Sequence, residues 1–225
     1  ESMGADTVMQ FRYDSIVGPQ NKHVEYTFDA VNLLAEFSPA SETVSGTDLM
    51  LVAHYDSRYS QPMPRDTVWS YGAADDGYGI GVILETVSLA LKNRTEWKQG
   101  IKVLFTDAEE PGMKGMKAIW ENNREVFDNV GLVLNVEARG TWGPALLFEA
   151  CPGNAKVQEL YACTAEYPFT YSLTTVVYKF LPMFTDFTIV KDELPGLNFS
   201  NIADVNHYHT DLDNFSNISE KTIQH

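Results

Sequence analysis

Three short, nearly continuous apolar runs most constrain this chain: Asp48–His54 (DLMLVAH), Ile101–Thr106 (IKVLFT) and the run Val130–Val136 (VGLVLNV). A half-exposed strand alternates apolar and polar residues, whereas a run apolar at nearly every position is the pattern of a strand buried on both faces. Between the first two runs, Ile80, Ile83, Leu84, Val87 and Leu91 recur at the spacing of one face of an amphipathic helix. A second helical pattern, from Met113 to Phe127, precedes the third run. Strands alternating with helices predict an α/β fold of three layers, a largely parallel (mixed) central sheet with helices on both faces. In such sheets, sites gather beyond the carboxyl ends of the strands.

Further strands are predicted at Ala30–Phe37, Ala145–Ala150, Ser172–Tyr178 and Leu197–Ile202, with a weak one around Val8–Tyr13 in an otherwise irregular start. Asn154 suits the N-cap of a helix with Val157, Leu160, Tyr161 and Ala165 on one face, and a short helix is expected near Asp186–Lys191. The stretches Tyr55–Tyr71, punctuated by Pro62 and Pro64, and Ala203–Ser219 read as loops. With 225 residues and 44% hydrophobic content, residues 1–225 suit one domain with a sizeable core. The opening at Glu1 and a helix-start pattern at Ser219, just before His225, read as a domain truncated at both ends.

The net charge of −15, from 31 acids against 16 Lys and Arg, would repel a phosphate backbone, so no nucleic-acid partner is expected. No run approaches the roughly 18 apolar residues of a membrane span, so no membrane contact is expected within this chain, and no signal peptide is visible. Cys151 and Cys163 form neither a disulfide framework nor a metal-type spacing, and Cys163, inside a helical pattern, is expected in the core. Sequons occur at Asn93, Asn198, Asn214 and Asn217, and matter only in a secretory setting.

The strand ends carry the chemistry. The first ends in Ala53-His54-Tyr55-Asp56, where i, i+2 spacing allows Asp56 to lie beside His54 and orient its ring. The turn before the first helix holds the adjacent Asp75 and Asp76, either of which could cap the helix. The second strand ends in Asp107-Ala108-Glu109-Glu110, broken by Pro111-Gly112 so that both glutamates can reach one place, although an exposed acidic turn would look the same. Glu137 ends the third strand, with Arg139 two residues on as a possible ion-pair partner. The late loop Asn206–Asp213 offers His209 with Asp213 four residues on, or His207 in its place.

His54, Asp75, Glu110, Glu137 and His209 thus come from five loops on one side of the expected sheet, with Glu109 beside them. At an effective dielectric near 20, each like-charged pair about 4 Å apart costs on the order of 4 kcal/mol. Four carboxylates in one place therefore require cations. Nitrogen and oxygen donors of this kind suit zinc, ahead of cobalt or manganese, and two zinc ions would neutralise the cluster.

The ordered motifs AHYDS, GAADDG, TDAEE, NVEARG and HYHTDLDN resemble the zinc aminopeptidases of peptidase family M28 over about Ala30 to Asn217. MFTDFTIVKD with LPGLNFSNI after it is most similar to the endoplasmic-reticulum and vacuolar membrane metallopeptidase branch. The resemblance implies a zinc-exopeptidase-like fold and two zinc ions per chain, bridged by Asp75 across a cis Asp75–Asp76 bond. His54 and Glu137 would complete one site, Glu110 and His209 the other. Glu109 would be the general base, with Asp56, Asp76 and Asp213 supporting the ligands and Asp186 supporting the substrate pocket. The implied reaction is removal of N-terminal residues from a peptide substrate by a water or hydroxide between the zinc ions. In that branch the peptidase domain lies on the non-cytosolic side of a membrane-anchored protein, so an extracytoplasmic location is expected. Pro111-Gly112-Met113-Lys114 departs from the small apolar run usual after the paired glutamates, and Glu137 stands where many members have Asp. The alternatives are a single-zinc glutaminyl cyclase on the same fold and a catalytically silent binding domain; the intact Asp75-Asp76 pair weighs against the first and Glu109 against the second.

Overall fold

The computed structural model describes residues 3–18, 26–40, 46–62, 67–174 and 184–225. Seven strands form one mixed sheet: β1 (Thr7–Val17), β2 (Thr27–Phe37), β3 (Asp48–His54), β6 (Ile101–Thr106), β7 (Val130–Ala138), β8 (Leu146–Ala150) and β9 (Gly196–Asn201), in the order β1-β2-β6-β3-β7-β9-β8. The four central strands β6, β3, β7 and β9 run parallel, and the antiparallel pairings lie outside them, at β1–β2, β2–β6 and β8–β9. A two-stranded hairpin, β4 (Tyr59–Pro62) and β5 (Thr67–Trp69), stands apart.

The apolar runs sort into two faces by strand parity. Met50 and Val52, with Leu104 and Val133, cluster with Met116 and Ile119 of α2 (Lys114–Asn122) and with Phe187 and Val190 of α4 (Phe187–Val190). Leu51, Ala53 and Val103 cluster on the opposite face with Ile83 and Val87 of α1 (Gly77–Ala90). Each such fully buried aliphatic side chain contributes about 1.5–3 kcal/mol over its exposed state. This double burial is why polar residues appear in these strands mainly at their carboxyl ends. The connection β3–α1–β6 leads to one side of β3 and β6–α2–β7 returns to the other, so the chain reverses direction across the sheet at β3. In open α/β sheets ligands bind at such a reversal, and His54 ends the strand at that point.

Several expectations need revision. The weak strand expected around Val8–Tyr13 is longer, the eleven-residue β1, whose side chains are mostly exposed, which is why it lacks an apolar period. The loop after β3 contains the β4–β5 hairpin. The second helix stops at Asn122, because Asn123 adopts φ −135, ψ 55, and a 3₁₀ turn (Arg124–Phe127) follows. Leu84, placed on the buried face of α1, is 38% exposed. The helix capped by Asn154, α3 (Ala155–Thr164), buries none of its residues, so Cys163 is exposed and Cys151 is the buried thiol. Of the strand expected at Ser172–Tyr178, residues 172–174 are helical and the remainder lies outside the described residues. The late loop holds two 3₁₀ turns before α5 (Glu220–Gln224), which packs against α1.

Candidate metal centre

Each strand delivers its residue differently. His54 is the last residue of β3 and is 1% exposed. After β6 the backbone enters the left-handed region at Ala108 (φ 55) and again at Gly112 (φ 104) and Met113 (φ 56), so the Glu109–Glu110 corner folds back over the strand ends. Glu137 lies near the end of β7, Asp75 in the turn before α1, and His209, itself at φ 57, in the loop after β9. The Asp75–Asp76 peptide bond is cis.

These residues form two donor groups that share Asp75. In the first, His54, Asp75 and Glu137 offer ligand atoms within 4.8 Å of one another; in the second, Asp75, Glu110 and His209 do the same. Asp75 divides its carboxylate between them. Its Oδ1 lies 3.2 Å from His54 Nε2 and its Oδ2 lies 3.1 Å from His209 Nε2. Glu137 Oε2 stands 3.7 Å from His54 Nε2, and Glu110 Oε1 stands 3.0 Å from His209 Nε2. Asp75 Oδ2, Glu110 Oε1 and His209 Nε2 are buried against one another, and none of them makes an aligned hydrogen bond among the described residues. Unsatisfied buried polar atoms are costly. Nitrogen and oxygen donors from three residues, all within 4.8 Å of one another, fit a zinc-type cation.

The electrostatics show the same strain. Burial, with Glu137 nearby, holds the Glu109 carboxyl well above the usual carboxylate range, and burial also raises Glu110. Asp76 is pushed well up by burial. Asp75 goes the other way: burial opposes it, but contacts with His209 and His54 hold it low. Burial disfavours charge on His54 and His209, yet their carboxylate neighbours raise both.

The supporting carboxylates do more than face a histidine ring. Asp56 accepts from the backbone N–H of Glu109 at 2.9 Å and of Glu110 at 3.1 Å, while its own backbone carbonyl lies 3.0 Å from His54 Nδ1. Asp213 accepts from the N–H groups of Ala74 at 2.6 Å and Asp75 at 3.2 Å. Each clamps two successive N–H groups in a loop that carries a donor. Asp76 caps α1 through Gly79 N at 3.0 Å and also accepts from His54 N at 3.3 Å, tying helix to strand. A Cβ on Gly79 would fall 2.4 Å from the Asp76 carboxylate, so the close cap requires glycine. Asp186 is buried, Thr106 Oγ1 donates to it, and burial raises its carboxyl to about 7. His207 lies elsewhere, with its Nδ1 2.7 Å from Thr141 Oγ1.

Other contributors carry no local sequence signal. Asn135 Nδ2 donates to Glu137 Oε1 at 3.3 Å and to Asn198 Oδ1 at 2.9 Å, and Asn198 Nδ2 donates to Glu149 Oε2 at 3.2 Å and Thr185 Oγ1 at 2.8 Å. Lys191 Nζ closes the chain on Glu149 Oε1 at 2.6 Å. The Tyr208 ring stacks on His209 with centroids 3.5 Å apart, and Arg139, a possible partner of Glu137 from its sequence position, instead sets its guanidinium over Tyr208 at 4.9 Å from the centroid.

A family model described as Peptidase family M28 matches residues 32–225. The chain is 27% identical over 184 residues to the putative endoplasmic reticulum metallopeptidase 1-A of Caenorhabditis elegans, covering 80% of this chain and 19% of that protein. It is 28% identical over 227 residues to the vacuolar membrane protease of Eremothecium gossypii, covering 99% of this chain and 21% of that protein. The chain thus spans about a fifth of the length of these curated relatives. Among solved structures, Porphyromonas gingivalis glutaminyl cyclase superposes with a TM-score of 0.72 at 20% identity, covering 99% of this chain and 81% of that one. A leucine aminopeptidase precursor from Bacteroides thetaiotaomicron gives 0.69 at 18% identity, covering 99% and 80%. At these identities the two structures speak for the fold alone.

Proposed function

The chain belongs to peptidase family M28, and from that premise we propose that it is a zinc-dependent exopeptidase of the aminopeptidase type. The observation that carries this reading is the division of Asp75, one oxygen toward His54 and the other toward His209. On this reading His54, Asp75 and Glu137 hold one zinc ion and Asp75, Glu110 and His209 the other. Bound there, the ions would supply polarisation of the scissile carbonyl and a water acidified toward a pKa of about 7.

The chain's own residues do the rest. Glu109, with its backbone clamped by Asp56 and its carboxyl raised by burial, is the base that takes the proton of the attacking water. The same carboxylic acid then delivers that proton to the leaving amine. An unprotected peptide N-terminus held at this metal site or by a nearby carboxylate would give action at the chain end. Asp56, Asp76 and Asp213 hold the donor loops in register, and Asp186 supports the substrate pocket through Thr106.

A peptide is the substrate, and no nucleic-acid partner enters. Among the described residues no helix is long and apolar enough to cross a membrane. The names of the relatives support a luminal or extracellular domain of a membrane-anchored protein. In such a setting Asn93, exposed after α1, is an open sequon, whereas Asn198 is fully buried in the network behind Glu137.

The test is metal content with a peptide panel. Purified protein should bind about two zinc ions and cleave an aminoacyl reporter. Chelation and Glu109→Gln should each remove at least about 100-fold of kcat, with zinc retained in the variant. One tight zinc with cyclisation of Gln-peptides would replace this reading by the cyclase. Two zinc ions without turnover would replace it by a binding domain.

A further inference from the structure

Five arginines lie among the described residues, in a chain with almost twice as many acids as bases. Arg12, Arg94 and Arg124 each pair with carboxylates: Asp14 and Asp29, Asp6, and Glu193 respectively. Arg139 is engaged by the Tyr208 ring. Arg58 alone among them pairs with neither a carboxylate nor an aromatic face among the described residues. Four residues beyond His54 in the loop that leaves β3, its hydrogen bond among the described residues is Nη1 to His209 Nδ1 at 3.2 Å.

That contact points to a ligand. A histidine that holds a metal through Nε2 carries its proton on Nδ1. His209 turns Nε2 to Asp75 and Glu110, so its Nδ1–H and the Arg58 guanidinium would be two donors facing one another. Neither can accept. A carboxylate accepts from both at once, and charge-assisted pairs of this kind are the strong ones. An incoming carboxylate also finds here the one described arginine engaged by neither a carboxylate nor an aromatic ring, exposed beside His209.

We propose that Arg58 receives a carboxylate of the substrate just beyond the scissile bond, which makes short peptides with a nearby free carboxylate the preferred substrates. This rests on the exopeptidase reading for which end of the peptide is bound. Arg58 stands one imidazole ring from the donor atoms, and an extended residue spans roughly 3.5 Å. The C-terminal carboxylate of a dipeptide, or an acidic side chain on the residue after the cleaved bond, is therefore within reach. A long peptide with a neutral residue there presents neither.

The experiment separates binding from turnover. Zinc-loaded Glu109→Gln protein is titrated calorimetrically with Leu-Gly, Leu-Gly-amide and Leu-Asp-amide, with and without Arg58→Ala. We expect Leu-Gly to bind at least about tenfold more tightly than its amide, the ratio carried by one charge-assisted contact. Arg58→Ala should bring that ratio close to one, Arg58→Lys should restore part of it, and Arg12→Ala should leave it unchanged. Leu-Asp-amide binding like Leu-Gly would identify a side-chain carboxylate as an equal source; binding like the amide would identify the terminal one. Equal binding of acid and amide, a preference that survives Arg58→Ala, or no binding of any of the three would overturn the proposal. Wild-type protein that shows the preference but hydrolyses none of the peptides would overturn the exopeptidase reading while leaving the subsite standing.

Discussion

A carboxylate that turns its two oxygens to two histidines needs its backbone held as firmly as its side chain. Asp213 does this for Asp75 by accepting from two successive N–H groups, and Asp56 does it for the Glu109–Glu110 corner. An amide in place of either carboxylate would turn an NH₂ toward a backbone N–H, donor against donor. Asp213→Asn should therefore lower zinc affinity roughly 10–100-fold, the usual range for outer partners of a ligand, while the folded circular dichroism persists. Competition with a fluorescent chelator reads this, with exposed Asp211→Asn as the control, and an unchanged affinity would show the clamp to be dispensable. At this scale much of the site is legible in the chain. Acids and histidines at the ends of apolar runs already identify His54, Asp75, Glu110, Glu137 and His209 as candidates. What they leave open is what only tertiary structure decides. His207 and His209 are equivalent in sequence, and it is the loop path that sends one to Thr141 and the other to Asp75. Asp56 is spaced to face the His54 ring, but the stronger call on its oxygens comes from backbone groups fifty residues away, which no local pattern announces.

Among the elements, β7 and β9 differ from β3 and β6 in carrying amides inside the sheet. Asn135 and Asn198 are 1% and 0% exposed, and with Glu149 and Lys191 they form a directed chain of donors that ends on Glu137 Oε1. The charges at the two ends fix which way each amide points, so Glu137 keeps Oε2 free toward His54. Asn135→Ala should weaken zinc binding about tenfold. It should also cost about 1–3 kcal/mol of stability, since Asn198 Oδ1 loses its donor in a dry interior. Urea unfolding and chelator competition on the same preparation measure both, and a stability loss with unaltered zinc affinity would make the network structural alone. The strands themselves were readable because burial on both faces leaves continuous apolar runs. β1 is legible only as a weak strand over Val8–Tyr13 and the β4–β5 hairpin not at all, since exposed strands need no such run and prolines near the hairpin mimic a loop. α3 shows the converse error, an apolar spacing on a helix that the sheet does not cover.

For the whole molecule, the parallel centre of the sheet gathers acids that the rest of the chain cannot neutralise. The formal charge is −15, and several of the buried acids are held above their ordinary range. Metal-free protein therefore folds against this repulsion, and its stability should depend on pH with a definite sign. Burial raises Asp186 to about 7 from an ordinary value of 3.8, so between those values the folded chain binds a proton that the unfolded chain has released. His54 and His209, raised by their carboxylate neighbours, act in the same direction. Proton uptake on folding means that stability increases as pH falls through the folded-state values. The chelated protein should accordingly melt at a higher temperature at pH 6 than at pH 8. Zinc-loaded protein should melt higher at both, with the larger gain at pH 8, because bound cations then replace the missing protons. Calorimetric scans of both forms at the two pH values decide it. A chelated protein that is more stable at pH 8 would mean that the cluster is not electrostatically strained, and would remove the argument that this arrangement of carboxylates exists to hold metal.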